Sequence, residues 1–223
     1  MAIKAVVFDL DNTLYDYDSC NKLAEKELFR TIAKEFGISE EDAEKLLKKA
    51  KNHIKNQLSD EVAASHNRLL YMQNVCEQVG KNPLKYALDF YNAYWDTMLE
   101  NMGLFEYVKP LLEELKRKHI KIAILTDLTA HIQYRKLESL GISEMIDYLV
   151  TSEEAGAEKP SEKMFNLVLK KLELKPEEVL MIGDSVKKDI AGADTVGMKT
   201  LLFEKNHDIE IVNYVYALIR TLD

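Results

Sequence analysis

The 223-residue chain is short of thiols, with only Cys20 and Cys76. Two cysteines make no disulfide framework, and their separation is not that of metal ligands, which excludes a stapled fold and a thiolate metal module. Both lie in helical patterns and are expected to be buried and reduced. The five histidines show no metal-ligand clustering either. Basic runs are absent. With a formal net charge of -8 and a pI near 5.3, the chain has no electrostatic footprint for nucleic acid or an anionic membrane. An anionic substrate would have to be met by local cations. No apolar run approaches the roughly 20 residues that a membrane-spanning helix needs. The first residues lead into a strand without a basic or apolar signal segment, so the expected location is cytoplasmic. Internal repeats, low-complexity tracts and flexible linkers are also missing.

What is present is organised around Val6 to Leu14. A greasy run from Ile3 to Phe8 suits a strand buried on both faces. It breaks into Asp9, Asp11, Asn12 and Thr13. Acids at the end of a buried strand stand at the carboxyl edge of the sheet, where open α/β sheets bind ligands. Asp9 and Asp11, two residues apart, project to the same side of an extended chain and need a cation, a shared proton or water between them. By itself the stretch is also compatible with a strand running into an Asx-rich turn.

From Asp16 to about Met102 the pattern is helical. Leu23, Leu28, Ile32 and Phe36 recur at helical spacing up to Gly37. Ser39 with Asp42 reads as a capping box for a helix carrying Ala43, Leu46, Leu47, Ala50 and Ile54. Ser59 is expected to start a third helix, through Val62, Leu69, Leu70, Met72, Val75 and Val79. Pro83 is expected to open a fourth, with Leu84, Ala87, Leu88, Tyr91 and Trp95 on its apolar side. From Tyr107 onward helices and strands alternate. Strands are expected at 120–125, 148–150, 179–182 and 200–203. Helices are expected at 108–118, 130–140, from Ser161 onward, 186–195 and 209–222. This rhythm predicts an α/β fold, a doubly wound, Rossmann-like parallel sheet, with an inserted all-α block. The core is expected at 1–15 and 103–223, and the helical domain at 16–102.

Three strands end in groups suited to phosphate chemistry: Asp9-Leu10-Asp11, Thr126-Asp127 and Gly183-Asp184. Lys159 joins them along the same edge if the sheet is parallel. Asp9, Asp11 and Asp184 offer hard oxygen ligands, which favour Mg²⁺. A carboxylate can attack phosphorus, and a second one nearby can protonate the leaving alkoxide and then activate water. The Thr126 hydroxyl can donate to a phosphate oxygen, and Lys159 supplies a point charge.

These residues, with Lys159-Pro160 and with Asp189 after Gly183-Asp184-Ser185, resemble in order and position the four motifs of the haloacid-dehalogenase-like hydrolase superfamily. The resemblance implies that Asp9 is the nucleophile and Asp11 the general acid/base. It implies Mg²⁺ on the Asp9 carboxylate, the Asp11 backbone carbonyl and Asp184, with Asp189 in support. Thr126, Asp127 and Lys159 form the implied phosphate set. Asp127 stands where many relatives carry asparagine, and an acid there either depresses activity or faces away. The helical insert resembles the cap of the subfamily that includes phosphoglycolate phosphatase and N-acylneuraminate-9-phosphatase. A second aspartate at Asp11 marks phosphatases and mutases, whereas 2-haloacid dehalogenases lack it. The expected reaction is therefore hydrolysis of a small phosphorylated metabolite. A phosphomutase, a 2-haloacid dehalogenase and a non-catalytic binding module are the alternatives.

Other residues have plainer readings. Asp189 also suits the first turn of its helix, and Ser185 an N-cap. Tyr91, Tyr94 and Trp95 suit the core of the helical domain. Tyr15, Asp16, Tyr17 and Asp18 suit hinge or substrate roles. His66 and Arg68 could read an anionic substrate tail, although a solvated helix face is the commoner arrangement.

Overall fold

A computed structural model of the protein describes residues 2–59 and 62–204, with Asn213 and Val215 beyond them. The chain divides into two compact units, Tyr17–Met102 and the combination of Met1–Asp16 with Gly103–Asp223. The expected closing helix at 209–222 lies almost wholly outside the described residues.

The first of these units is helical: α1 (Tyr17–Phe36), α2 (Glu40–Leu58), α3 (Arg68–Gln78) and α4 (Pro83–Glu100). Side chains close the exposed helix starts, because the first amide N–H groups have no partner within the helix. Ser39 accepts from the Asp42 N–H at 3.1 Å, Asn67 from that of Leu69 at 2.9 Å, and Asn82 from that of Leu84 at 3.0 Å. The Asn67 cap corrects the third helix, which begins at Arg68 rather than Ser59 after a 3₁₀ turn at Ala63–His66.

Two faces also differ from expectation. Leu23, Leu84 and Leu88 are exposed, while Cys20, Ala24, Leu28 and Ile32 line the buried side of α1. On α4 the buried stripe is Ala87, Phe90, Tyr94, Trp95 and Met98. It follows the aromatic residues, which bury more area than leucine and so decide the face where both patterns have helical period. Arg68 is not on a solvated face. Its guanidinium lies 4.4 Å from the centre of the Tyr94 ring and 4.7 Å from that of Trp95, and its Nη2 donates to the Tyr17 hydroxyl. The two ends of the unit meet within it, where the Cys20 thiol donates to the Asn101 carbonyl at 3.2 Å. Both cysteines are free and buried.

The other unit is a five-stranded parallel sheet in the order β3-β2-β1-β4-β5. Its strands are β1 (Ala5–Phe8), β2 (Lys121–Thr126), β3 (Tyr148–Thr151), β4 (Val179–Gly183) and β5 (Lys199–Leu202). Val7 pairs with Ala123 on one side and Met181 on the other. Every residue of β1 is buried, as its unbroken apolar run requires of a central strand. Around the sheet run α5 (Val108–Arg117), α6 (Ala130–Ser139), α7 (Ser152–Ala155), α8 (Glu162–Leu172) and α9 (Ala191–Val196). Ala5, Val7, Ala123, Leu125 and Met181 pack with Met164, Phe165 and Val168 of α8 in one core. The expected helix at 186–195 is two pieces, a wide π-helical turn at Val186–Ile190 followed by α9. Parallel register puts the carboxyl ends of β1, β2 and β4 along one edge.

Candidate active site

Asp9 continues β1 by one residue, its N–H donating to the Ile182 carbonyl at 2.9 Å. Its side chain is buried. One carboxylate oxygen accepts a hydrogen bond from Lys159 Nζ, and the other accepts from the Thr13 hydroxyl at 3.3 Å. Lys159 is itself buried and bridges to Asp189 Oδ1 at 2.7 Å. A buried ammonium is tolerable here because it faces two carboxylates, which raise its pKa against the opposing effect of burial.

Asp189 reaches this position through the π-helical turn, a widening often found at functional sites. Its other oxygen accepts from the Ser185 N–H at 3.0 Å. Gly183 makes room for it, since a Cβ at that residue would fall 2.4 Å from the Asp189 carboxyl carbon. Asp184 stands exposed at the rim. Carboxylate oxygens of Asp9, Asp184 and Asp189 lie within 4.8 Å of one another.

Three hard oxygen donors thus converge on a region where Lys159 is the bonded cation of two of them. Asp9 records the remaining imbalance. Burial, with the neighbouring Asp189 and Asp11, outweighs the attraction of Lys159 and pushes its pKa up to about 7. The convergence of these hard oxygen donors fits a divalent cation. Asp189, expected in support, belongs to the converging set.

Asp11 adjoins this cluster but has partners of its own. Its Oδ1 accepts from Lys136 Nζ at 2.7 Å and from the Tyr15 hydroxyl at 2.6 Å, and its Oδ2 accepts from the same Nζ at 2.8 Å. The i, i+2 alternation of an extended strand does not apply here. Asn12 has φ +63°, and the chain turns back with the Leu14 N–H on the Leu10 carbonyl at 3.0 Å.

Thr126 ends β2, with its hydroxyl accepting from Gln133 Nε2 at 2.8 Å. Asp127 is not one of the converging acids. Its Oδ1 accepts from the Lys159 N–H at 3.0 Å and its Oδ2 from Lys188 Nζ at 2.7 Å. Asp127 is thus paired with Lys188, whose Nζ is also 3.5 Å from Glu158. Gln133, Lys136 and Lys188 are absent from the sequence reading. For two of them a signal existed: Gln133 and Lys136 sit among Ile132 and Leu137 on the buried face of α6, polar residues where its period calls for apolar ones.

The next residue, Leu128, has φ +95°, a conformation that L side chains rarely adopt. It is pinned by its N–H on the Ser152 hydroxyl at 2.8 Å. Leu128→Gly is expected to relieve the strain by about 1 kcal/mol net of glycine's entropy. That raises Tm by about 2–4 °C in a chain of this size, readable by calorimetry.

The model of the haloacid dehalogenase-like hydrolases matches residues 6–203. The chain belongs to that family. Two relatives place this haloacid dehalogenase-like hydrolase further. Ribulose-1,5-bisphosphate 5-phosphatase of Halopiger xanaduensis is 41% identical over 92% of the chain and 86% of its own length. Glyceraldehyde 3-phosphate phosphatase of Methanopyrus kandleri is 32% identical over 89% and 83%. The chain is an enzyme of this phosphatase kind. The fold alone is shared more widely. A 2-haloacid dehalogenase from Pseudomonas syringae superposes with a TM-score of 0.74 at 22% identity, covering 90% of this chain and 86% of its own. Among the described residues no helix is long and apolar enough to cross a membrane.

Proposed function

We propose that this hydrolase releases phosphate from a small phosphorylated sugar through an aspartyl-phosphate on Asp9, with Mg²⁺ as cofactor and Asp11 as general acid/base. The observation that carries this reading is Asp9 itself. It is a buried carboxylate at the carboxyl end of a central strand, fixed by Lys159 and Thr13 and adjoining two further acids. In the first step an Asp9 oxygen bonds to phosphorus as the bond to the ester oxygen breaks, and Asp11 gives that oxygen a proton. In the second step a water oxygen bonds to phosphorus, its proton goes to Asp11, and the bond to Asp9 breaks. Lys159 holds charge beside the transferring group, and Thr126 borders it. Asp9, Asp184 and Asp189 would hold Mg²⁺, whose positive charge would stabilise the phosphoryl oxygens. The named substrates of the two relatives support a sugar phosphate.

The test is phosphate release from ribulose-1,5-bisphosphate, glyceraldehyde 3-phosphate and an aryl phosphate, with Mg²⁺ and with a chelator. Release that needs Mg²⁺ and favours a sugar ester supports the reading, and release unaffected by the chelator contradicts it.

The Asp9 pKa sets a direction for metal binding. In the metal-free protein it is higher than the 3.8 of an ordinary aspartate. The folded state therefore binds this proton more tightly than the unfolded state. The associated stability is complete below about pH 4 and lost as pH rises through about 7. Mg²⁺ must displace the same proton. The gain in Tm on adding Mg²⁺ is accordingly expected to be largest near pH 8 and to shrink steadily below pH 7. A gain independent of pH in thermal melts from pH 5.5 to 8 would contradict this.

A further inference from the structure

Lys136 has no part in the motifs that mark the family, yet its side chain is completely buried and its ammonium ends on Asp11. Burying a lysine without a strong partner is unfavourable, and the ion pair with Asp11 is such a partner. The ring of Tyr15 lies 5.9 Å from the same ammonium, while the Tyr15 hydroxyl bonds to Asp11. Three hydrogen bonds thus fall on one carboxylate. Oδ1 receives two of them, filling its two lone-pair directions, and Oδ2 receives one. Among the described residues no second donor reaches Oδ2, which leaves it one lone-pair direction for a reacting group.

We propose that Lys136 is a positioning residue for the reaction, and that with Tyr15 it fixes Asp11 so that Oδ2 alone exchanges the proton with the ester oxygen and with water. The inference rests on the acid/base role of Asp11 given above. Lys136 is completely buried, so in this role it acts through Asp11. The proton balance is that of the two steps already described: Oδ2–H loses its proton to the alkoxide as the P–O bond breaks, and Oδ2 regains one from the attacking water. A carboxylate held at both oxygens cannot rotate, so the donor stays aimed at one point. General acid/base groups contribute about 10²–10⁴-fold in rate, and that contribution depends on such aim.

The ester's leaving group separates positioning from mere structure. An alkyl alcohol needs the proton of Asp11 to depart, whereas 4-nitrophenolate leaves without one. Moreover, kcat/KM reports the steps up to departure of the alcohol, before water attacks. Lys136→Met is expected to lower kcat/KM for an alkyl sugar phosphate by about 100-fold and for 4-nitrophenyl phosphate by less than about fivefold. Lys136→Arg is expected to recover part of the alkyl activity. Tyr15→Phe, which keeps the ring and removes one bond to Oδ1, should show the same selectivity at about tenfold. It carries the test if Lys136→Met does not fold. Equal losses on both esters, or no loss on either, would overturn the proposal. If the wild type releases no phosphate from either ester, or if Asp9→Asn leaves release unchanged, the underlying reading fails and takes the proposal with it. That result is distinct from an active, Asp9-dependent enzyme whose Lys136 and Tyr15 variants show no leaving-group selectivity.

Discussion

Asp9→Asn is expected to lower phosphate release from every ester by about 10⁴-fold or more, with Tm within a few degrees of the wild type. Asparagine has nearly the same size and can still accept the Thr13 hydrogen bond. Its amide oxygen is too weak a nucleophile to take a phosphoryl group. Lys159 keeps Asp189 as an ionic partner, so the cluster is not left with an unpaired cation. Steady-state release measured beside circular dichroism separates lost chemistry from lost fold. Turnover within tenfold of the wild type would remove Asp9 from the nucleophile's role.

Lys159→Met is expected to damage stability as well as rate. The ammonium is bonded to Asp9 and Asp189, both buried. Removing one partner of a buried ion pair leaves uncompensated charge and costs about 3–5 kcal/mol. In a chain of this length that lowers Tm by roughly 10 °C or more. If Mg²⁺ binds these acids as proposed, adding it should return part of the loss. On the proposed mechanism turnover should fall by about 10²–10³-fold even where the protein is folded, because the charge assigned to the transferring phosphoryl group is gone. Melting curves with and without Mg²⁺ check the first effect. A Tm within 2 °C of the wild type without metal would contradict it.

The sheet was legible because its signals are local. The apolar run before Asp9 and the repeated change from strand to helix leave few arrangements open, and the five parallel strands follow them. Helix faces in the inserted unit were less legible. On α4 the leucines and the aromatics give two stripes displaced by about one residue, and their packing partners choose between them. The third helix starts late because an asparagine cap at Asn67 overrides the earlier serine signal.

Within the site, residues at strand ends could be read from motif and topology, and the structure brings Asp9, Asp184, Asp189 and Lys159 together. The orientation of Asp11 could not be read. It depends on Lys136, whose position 125 residues away leaves no pattern in the neighbourhood of the first motif. Asp127 is a similar case. The cation that faces it, Lys188, lies in a turn that looks from sequence like the start of an ordinary helix.

The strand order also bears on how the chain assembles during synthesis. The central strand β1 is made first, yet both of its neighbours, β2 and β4, begin more than a hundred residues later. At about 5–20 residues per second, β1 waits on the order of ten seconds or more for them to emerge. The helical unit, which ends at Met102, is synthesised before either begins. Its contacts lie within one stretch, and the bond between Cys20 and Asn101 brings that stretch back on itself. Once it has folded, the chain between β1 and β2 behaves as a much shorter loop, and closing that loop becomes easier by about 1 kcal/mol. A helical insert that folds first would thus ease the pairing of the second strand with the first.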